Sequence, residues 1–272
     1  MAKEAPEDPY CGLAPADRLA AEVRDLDLMD GEEPSAEELE AWAAEAEAAA
    51  LEVEGISNSE GASAAYGLGG VALATSEGFR GAYRSSSFST SCAVLTGEGT
   101  AMEMAYDYHT TLHREDLRPP AEIGKVAAER ALQALGARRV KSQAVPIVYE
   151  DRMAPSLVRH FAGAILGTGI ARGTSFLKDK LGKQVFAKGI NVVDDPHRKR
   201  GLASRPFDGE GVANRRTVIV EDGTLTTWLL DTATARQLKL ETTGHAARGT
   251  GGPPGPSWTN LHLEAGTQTP ED

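Results

Sequence analysis

Over residues 1–34 the apolar positions follow no period, and Pro6, Pro9, Pro15 and Pro34 interrupt any regular element, which predicts turns and short segments. Ser35-Ala-Glu-Glu38 then has the form of a capping box, with the serine hydroxyl facing the Glu38 amide and the Glu38 carboxylate reaching back. A Glu/Ala-rich helix is expected from there to about Leu51, with a narrow apolar stripe (Leu39, Trp42, Leu51) and a solvated acidic face. Between Ile56 and Leu112 the period changes to two. Val71–Thr75, a turn at Ser76–Phe79 and an alternating run from Arg80 to Leu95 predict a hairpin. Thr96-Gly-Glu-Gly99 supplies a second turn and Thr100–Thr110 a third strand, giving an antiparallel meander. Tyr83, Phe88, Tyr106 and Tyr108 are available to cover one face, and the serines of Ser85–Ser91 line the other.

Pro119-Pro120 opens a helix whose Ile123, Val126, Ala127, Ala131, Leu132 and Leu135 recur at helical spacing, with Gly136 at its end. Ala144–Tyr149 reads as a short buried strand, placed at a sheet edge by Pro146. An apolar helix is expected over Ala154–Ile170 and a shorter one over about Ser175–Leu181. Thr217–Val220, the turn Glu221–Thr224 and Leu225–Leu230 form the clearest hairpin of the chain. Asp231–Leu238 follows as a capped helix, Gly249–Pro256 as a loop and Asn260–Leu263 as a last strand, while Thr269-Pro270 reads as a helix start without a helix. The fold class is therefore α+β: an antiparallel β-meander with flanking helices over residues 1–142, then a β-rich C-terminal domain over 143–272 that reads as truncated.

The 272 residues carry a net charge of −12, concentrated in residues 1–60, which hold 18 acidic and 3 basic side chains. Such a field repels phosphate backbones, and the short string His197–Arg200 follows two aspartates, so nucleic acid is not expected as a partner. No apolar run approaches ~18–20 residues, so no membrane span is expected, and the polar acidic start MAKEAPEDPY is unlike a secretory leader. Two cysteines, Cys11 and Cys92, make no disulfide framework, which fits a cytoplasmic chain with reduced thiols.

Candidate chemistry is thin. His109 and His113 stand four apart, the spacing of a helical zinc pair, but they sit in a strand pattern that separates them along the chain. His160 lies within the apolar helix, where a hydrogen-bonded histidine is the expected state, and Cys92 reads as a buried inert thiol. Gly163-Ala-Ile-Leu-Gly167-Thr-Gly169 lacks the layout of a dinucleotide or phosphate loop and predicts close helix packing or a helix end. The residues alone give no catalytic constellation.

Several stretches, in order along nearly the whole chain, are similar to the TldD/PmbA family of modulators of peptide processing, in its PmbA (TldE) branch. They are Ile56–Ser63, Gly78–Ser86, Thr174–Phe186, Asp194–Pro196, Arg205–Val212 (RPFDGEGV), Leu229–Arg236 and the Pro-rich loop leading into Ser257–Leu263. Members are longer, so the resemblance implies a partial-length chain lacking an N-terminal part and the C-terminal end. It also implies a cytoplasmic heterodimer with a TldD-type partner, a zinc metallopeptidase acting on small or unfolded peptides. The TldD zinc motif is H-E-x-x-x-H on a helix, and the matching segment here is Arg159–Ala164. Arg159 and Ala164 stand at the histidine positions and His160 at the glutamate position. A guanidinium and a methyl group offer no lone pair to a metal, so no metal or other cofactor is expected in this chain, which is read as non-catalytic; the zinc is expected in the partner. Tyr83 and Arg84 are candidate lining of a peptide chamber. The rival reading is a stand-alone peptide-binding or regulatory remnant without peptidase activity.

Overall fold

The computed structural model describes residues 7–267. The chain forms two compact units that interleave along the sequence: residues 27–70 with 84–146, and residues 7–26 with 71–83 and 147–267.

In the first of these units Ser35 caps α1 (Ala36–Leu51) as its pattern predicts. The Ser35 hydroxyl accepts the Glu38 amide at 3.2 Å, and the Glu38 carboxylate accepts the Ser35 amide at 3.0 Å. Strands β1 (Ile56–Ala74), β2 (Arg80–Thr96) and β3 (Glu103–Thr111), of which residues 71–74 and 80–83 are counted with the other unit, follow in the sheet order β1-β2-β3, the expected meander. β2 and β3 pair antiparallel from Phe88 opposite Thr111 to Thr96 opposite Glu103. Helix α2 (Pro120–Ala134) starts on its proline, which lacks the N–H that a first turn cannot use. The even positions of β2, from Ser86 to Thr96, are buried and the odd ones half-exposed, the period-two signature of a sheet covered on one face. Cys92 and Val94 on that face pack with Ala46 and Ala50 of α1 and with Ile123, Ala127, Ala128 and Ala131 of α2.

Two expectations in this unit are corrected. The aromatic residues do not share a face. Phe88 lies in the buried row, 5.1 Å from the Tyr66 ring, whereas Tyr106 and Tyr108, opposite Ala93 and Ser91, stack on each other on the exposed face. Ala144–Tyr149 is not a strand: residues 137–150 carry no regular structure, and Val148 is 96% exposed. Pro146 removes a ladder donor, and without a neighbouring strand an extended segment has only water to satisfy its backbone.

The other unit holds α3 (Pro155–Ala164), α4 (Gly167–Ala171), β4 (Val192–Asp194), β5 (Thr217–Glu221), β6 (Thr224–Leu225), α5 (Thr232–Leu238), β7 (Ala246–Ala247), β8 (Gly255–Pro256) and β9 (Leu261–Leu263). The helix expected over Ala154–Ile170 is broken at Leu166, which is extended (φ −66°, ψ 131°) and bridges Leu229. The Gly167 amide donates to the Leu229 carbonyl at 2.8 Å and the Leu229 amide to the Ile165 carbonyl at 3.0 Å. This distant pairing outweighs helix continuation across a glycine-weakened stretch. A Cβ on Gly167 would lie within 2.8 Å of Thr234 and Leu230 side chains, so the glycine run does serve close packing of α4 on α5. Ser175–Leu181 is a series of turns rather than a helix, because the Ser175 hydroxyl donates to the Ala164 carbonyl and accepts the Leu177 amide.

The sheet order is β6-β5-β4-β9, and Asp222-Gly223 turns the β5/β6 hairpin with both residues at positive φ. β6 is two residues long, shorter than the Leu225–Leu230 strand expected. Asp231 caps α5, as read from sequence. Of the loop expected over Gly249–Pro256, the last two residues pair with β7. Ile165, Leu177, Val192, Ile219, Val220, Leu225 and Leu229 form the core. The helix start at Thr269-Pro270 and the first six residues of the polar start MAKEAPEDPY lie outside the described residues. No helix among the described residues is long and apolar enough to cross a membrane.

Candidate functional site

Helix α3 runs along an apolar groove of about 600 Å³, walled by Leu157, Val158 and Phe161 on the helix and by Phe186, Trp258 and β9 opposite. Phe161 and Phe186 meet edge to face at 5.0 Å at its floor. Three polar side chains border it: Asp151, Arg159 and His262. The Trp258 wall is fixed from behind. Asp194 accepts the Thr259 amide at 2.8 Å, the Thr259 hydroxyl at 2.7 Å and contacts His245 Nε2 at 3.2 Å, while Arg205 donates to the Trp258 and Ala246 carbonyls at 3.1 Å.

Of the three positions singled out on α3, Arg159 is the one that borders the groove. His160 is exposed, with Nδ1 2.8 Å from the Ser156 carbonyl one turn earlier. Ala164 is half-buried against the core. Neither a guanidinium nor a methyl group can ligate zinc, so this donor set does not fit that ion. Among the described residues no three His, Cys, Asp or Glu side chains are grouped as metal ligands.

The other sequence candidates are dispersed. His109 Nδ1 accepts the Arg118 amide at 3.0 Å; burial and the Arg118 charge hold its pKa below the ordinary imidazole value. His113 Nε2 lies 2.9 Å from the Asp27 carbonyl, so each ring of the four-apart pair has its own backbone partner. Burial, aided by Glu47, pushes the Cys92 thiol up, as befits an inert cysteine. Tyr83 is half-buried, its ring edge-on to Phe207 at 5.5 Å; burial raises its phenol and the Arg205 charge partly offsets this. Arg84 is exposed.

What sequence reasoning passed over is a set of buried carboxylates. Asp208 accepts the amides of Glu210, Val212 and Ala246, and Glu210 takes both the amide and hydroxyl of Thr232. Burial raises the pKa of both groups, and the Asp208 and Asp231 charges push Glu210 further up. The available signal was the run Asp208-Gly-Glu-Gly211, where acids alternate with glycines between apolar residues.

The raised values fix a sign. Unfolded, these carboxyls ionise near ~3.9 and ~4.3; folded, they keep their protons to higher pH. Their contribution to stability is therefore full below that range and is lost as pH rises through the folded values. Glu210→Gln keeps an acceptor for Thr232 and removes the titration. Urea melts are expected to show the variant gaining on the parent as pH rises above the unfolded value of ~4.3. A constant difference above that value would contradict the assignment.

Comparison with known proteins adds the following. Residues 30–135 match the PmbA/TldA metallopeptidase central domain, and residues 142–272 match the PmbA/TldA metallopeptidase C-terminal domain. The chain is 38% identical over 247 residues to metalloprotease PmbA of Escherichia coli O157:H7, covering 90% of this chain and 55% of that protein. It thus spans little more than half the length of that curated relative. A crystal structure from Bacteroides thetaiotaomicron, described as a candidate modulator of DNA gyrase, superposes with a TM-score of 0.88 at 27% identity, over 97% of this chain and 59% of that one. TldE of Thermococcus kodakarensis shares the fold at a TM-score of 0.80 and 20% identity, over 100% of this chain and 61% of that one.

Proposed function

This chain belongs to the PmbA/TldA metallopeptidase family, and from that premise we propose that it acts as a PmbA/TldE-type, non-catalytic subunit beside a TldD-type partner in the cytoplasm. The pair processes small or unfolded peptides. The zinc, the activation of water and the cleavage belong to the partner, with residues 1–142 and 143–272 of this chain as two domains of the supporting subunit. The observation that carries this reading is the donor set on α3: Arg159 and Ala164 stand where the family resemblance places two imidazole ligands, and His160 where it places the general base.

On this reading the chain contributes binding surface. The groove beside α3 is apolar enough to take aliphatic or aromatic side chains of an unfolded peptide, and Arg159 at its border offers a fork of donors to peptide carbonyls or a carboxylate. Tyr83 and Arg84 line the peptide chamber of the assembled pair. The second reading is a stand-alone peptide-binding or regulatory remnant without peptidase activity, which would use the same groove.

Co-expression with a TldD-type protein followed by size exclusion separates the two. The heterodimer reading expects co-elution and a chelator-sensitive peptidase activity that this chain lacks alone. Tyr83→Ala with Arg84→Ala is expected to weaken peptide binding by the pair. A chain that never co-elutes but retains peptides leaves the second reading. Tightly held stoichiometric zinc in this chain by itself overturns both.

A further inference from the structure

Away from α3, a cavity of about 180 Å³ is lined by Leu13, by Thr75 just after β1, and by Glu210 and Arg248. At ~30 Å³ per water it has room for about six waters, hence for one small molecule or the end of a chain. Gly209 draws two backbone segments together beside it: a Cβ there would stand 2.8 Å from the Ala247 carbonyl carbon and the Arg248 nitrogen, so the chain at residue 209 approaches residues 247 and 248 as no bulkier residue would allow.

The hydrogen bonds leave a specific deficit. Glu210 is 6% exposed, and both Thr232 donors go to its Oε2, at 2.8 and 2.6 Å. Among the described residues nothing donates to Oε1. The Thr75 hydroxyl, closed off from solvent, has no partner either. Arg248 is exposed and pairs with no acid among the described residues. The cavity therefore lacks donors and positive charge at one end and offers a guanidinium at the other. A bare metal cation would meet a single free carboxylate oxygen and the repulsion of Arg248, while a phosphate would meet the repulsion of Glu210. A group carrying an ammonium beside a carbonyl or carboxylate satisfies both ends.

We propose that this cavity binds an α-ammonium group, that of a free amino acid or of a peptide N-terminus, with the ammonium on Glu210 Oε1 and the Thr75 hydroxyl and the adjacent carbonyl or carboxylate on Arg248. Thr232 holds the Glu210 carboxylate in register for this, and an ammonium has three donors for the acceptors left open. The site requires neither zinc nor a second subunit, so it stands apart from the heterodimer reading.

Calorimetric titration of the full chain tests it with three probes: L-alanine, L-alanyl-L-alanine and N-acetyl-L-alanine. At least one of the first two is expected to bind and the acetylated compound to fail. Tighter binding of alanine identifies free amino acids as the ligand class; equal or tighter binding of the dipeptide identifies N-termini. Glu210→Gln, which retains an oxygen for Thr232, is expected to lose at least tenfold in affinity. Arg248→Ala, exposed and harmless to folding, is expected to lose a similar factor and keeps the test open should the first variant misfold. Affinity is also expected to fall as pH drops and Glu210 protonates, with Asp208 and Asp231 the acids facing it. Binding of the acetylated probe as tight as the others, silence of both amines at millimolar concentration, or full affinity in either variant would overturn the proposal.

Discussion

Gly124→Ala is expected to lower the stability of the unit built on α1 and α2 by about 2 kcal/mol or more, although alanine is the better helix former. Gly124 sits where the two helices touch. A Cβ there would stand 1.9 Å from the Ala46 carbonyl oxygen, 2.9 Å from its carbon and 3.1 Å from the Ala50 nitrogen. All three are backbone atoms of a helix, so no side chain can swing aside and α1 itself must move. That movement opens the packing of Ala46 and Ala50 on Ile123 and Ala127, all buried. The propensity gain is ~1 kcal/mol at most, and overpacking of a closed core costs ~1–3 kcal/mol or more, so the overlap wins. Gly163→Ala on α3 is the control: nothing lies within 4 Å of its Cβ position, and the propensity term alone should raise stability by up to ~1 kcal/mol. Urea melts read by far-ultraviolet dichroism, with Trp42 fluorescence as the tryptophan signal of the α1–α2 unit, compare the two. Equal midpoints for parent and Gly124→Ala would mean that the helices do not approach this closely.

Gly124 also marks the boundary of what the sequence discloses. The capping box at Ser35, the proline start of α2, the Asp222-Gly223 hairpin and the Asp231 cap were legible because each is a bargain between residues a few positions apart. The meander was legible because one covered face imposes a strict alternation on β2. Failures occurred where the deciding partner is remote. Leu166 leaves the helix for Leu229, and Ala144–Tyr149 reads as a strand but finds no neighbour to pair with. The site divides the same way. Arg159, His160 and Ala164 could be placed by family resemblance, since that compares positions and needs no geometry. The groove, the clamp on Trp258 and the opposed Glu210 and Arg248 are made by segments far apart in the chain, and no local spacing encodes them.

The clamp leads to the other large effect. Asp194→Ala is expected to cost about 3 kcal/mol or more, because it leaves several buried donors without an acceptor. Asp194 is 0% exposed and serves three groups of partners drawn from 65 and fewer residues away: the Thr259 amide and hydroxyl, and His245. Alanine strands these donors in the interior at ~1–3 kcal/mol for each unmet group. Asp194→Asn keeps one carbonyl oxygen for Thr259 and places an amide toward His245, so a smaller loss is expected. The surface pair Arg216–Glu264, at 2.6 Å beside the same strand, supplies the contrast: its side chains are half-exposed, and Glu264→Ala should cost less than ~1 kcal/mol. Thermal melts of the three variants rank them. Because Thr259 adjoins Trp258, the Asp194→Ala change should also shift tryptophan emission to the red and loosen the wall of the α3 groove, so that binding of an apolar peptide falls together with stability. Should Asp194→Ala melt with the parent, the buried clamp does not hold that wall, and the groove loses its claim to a fixed shape.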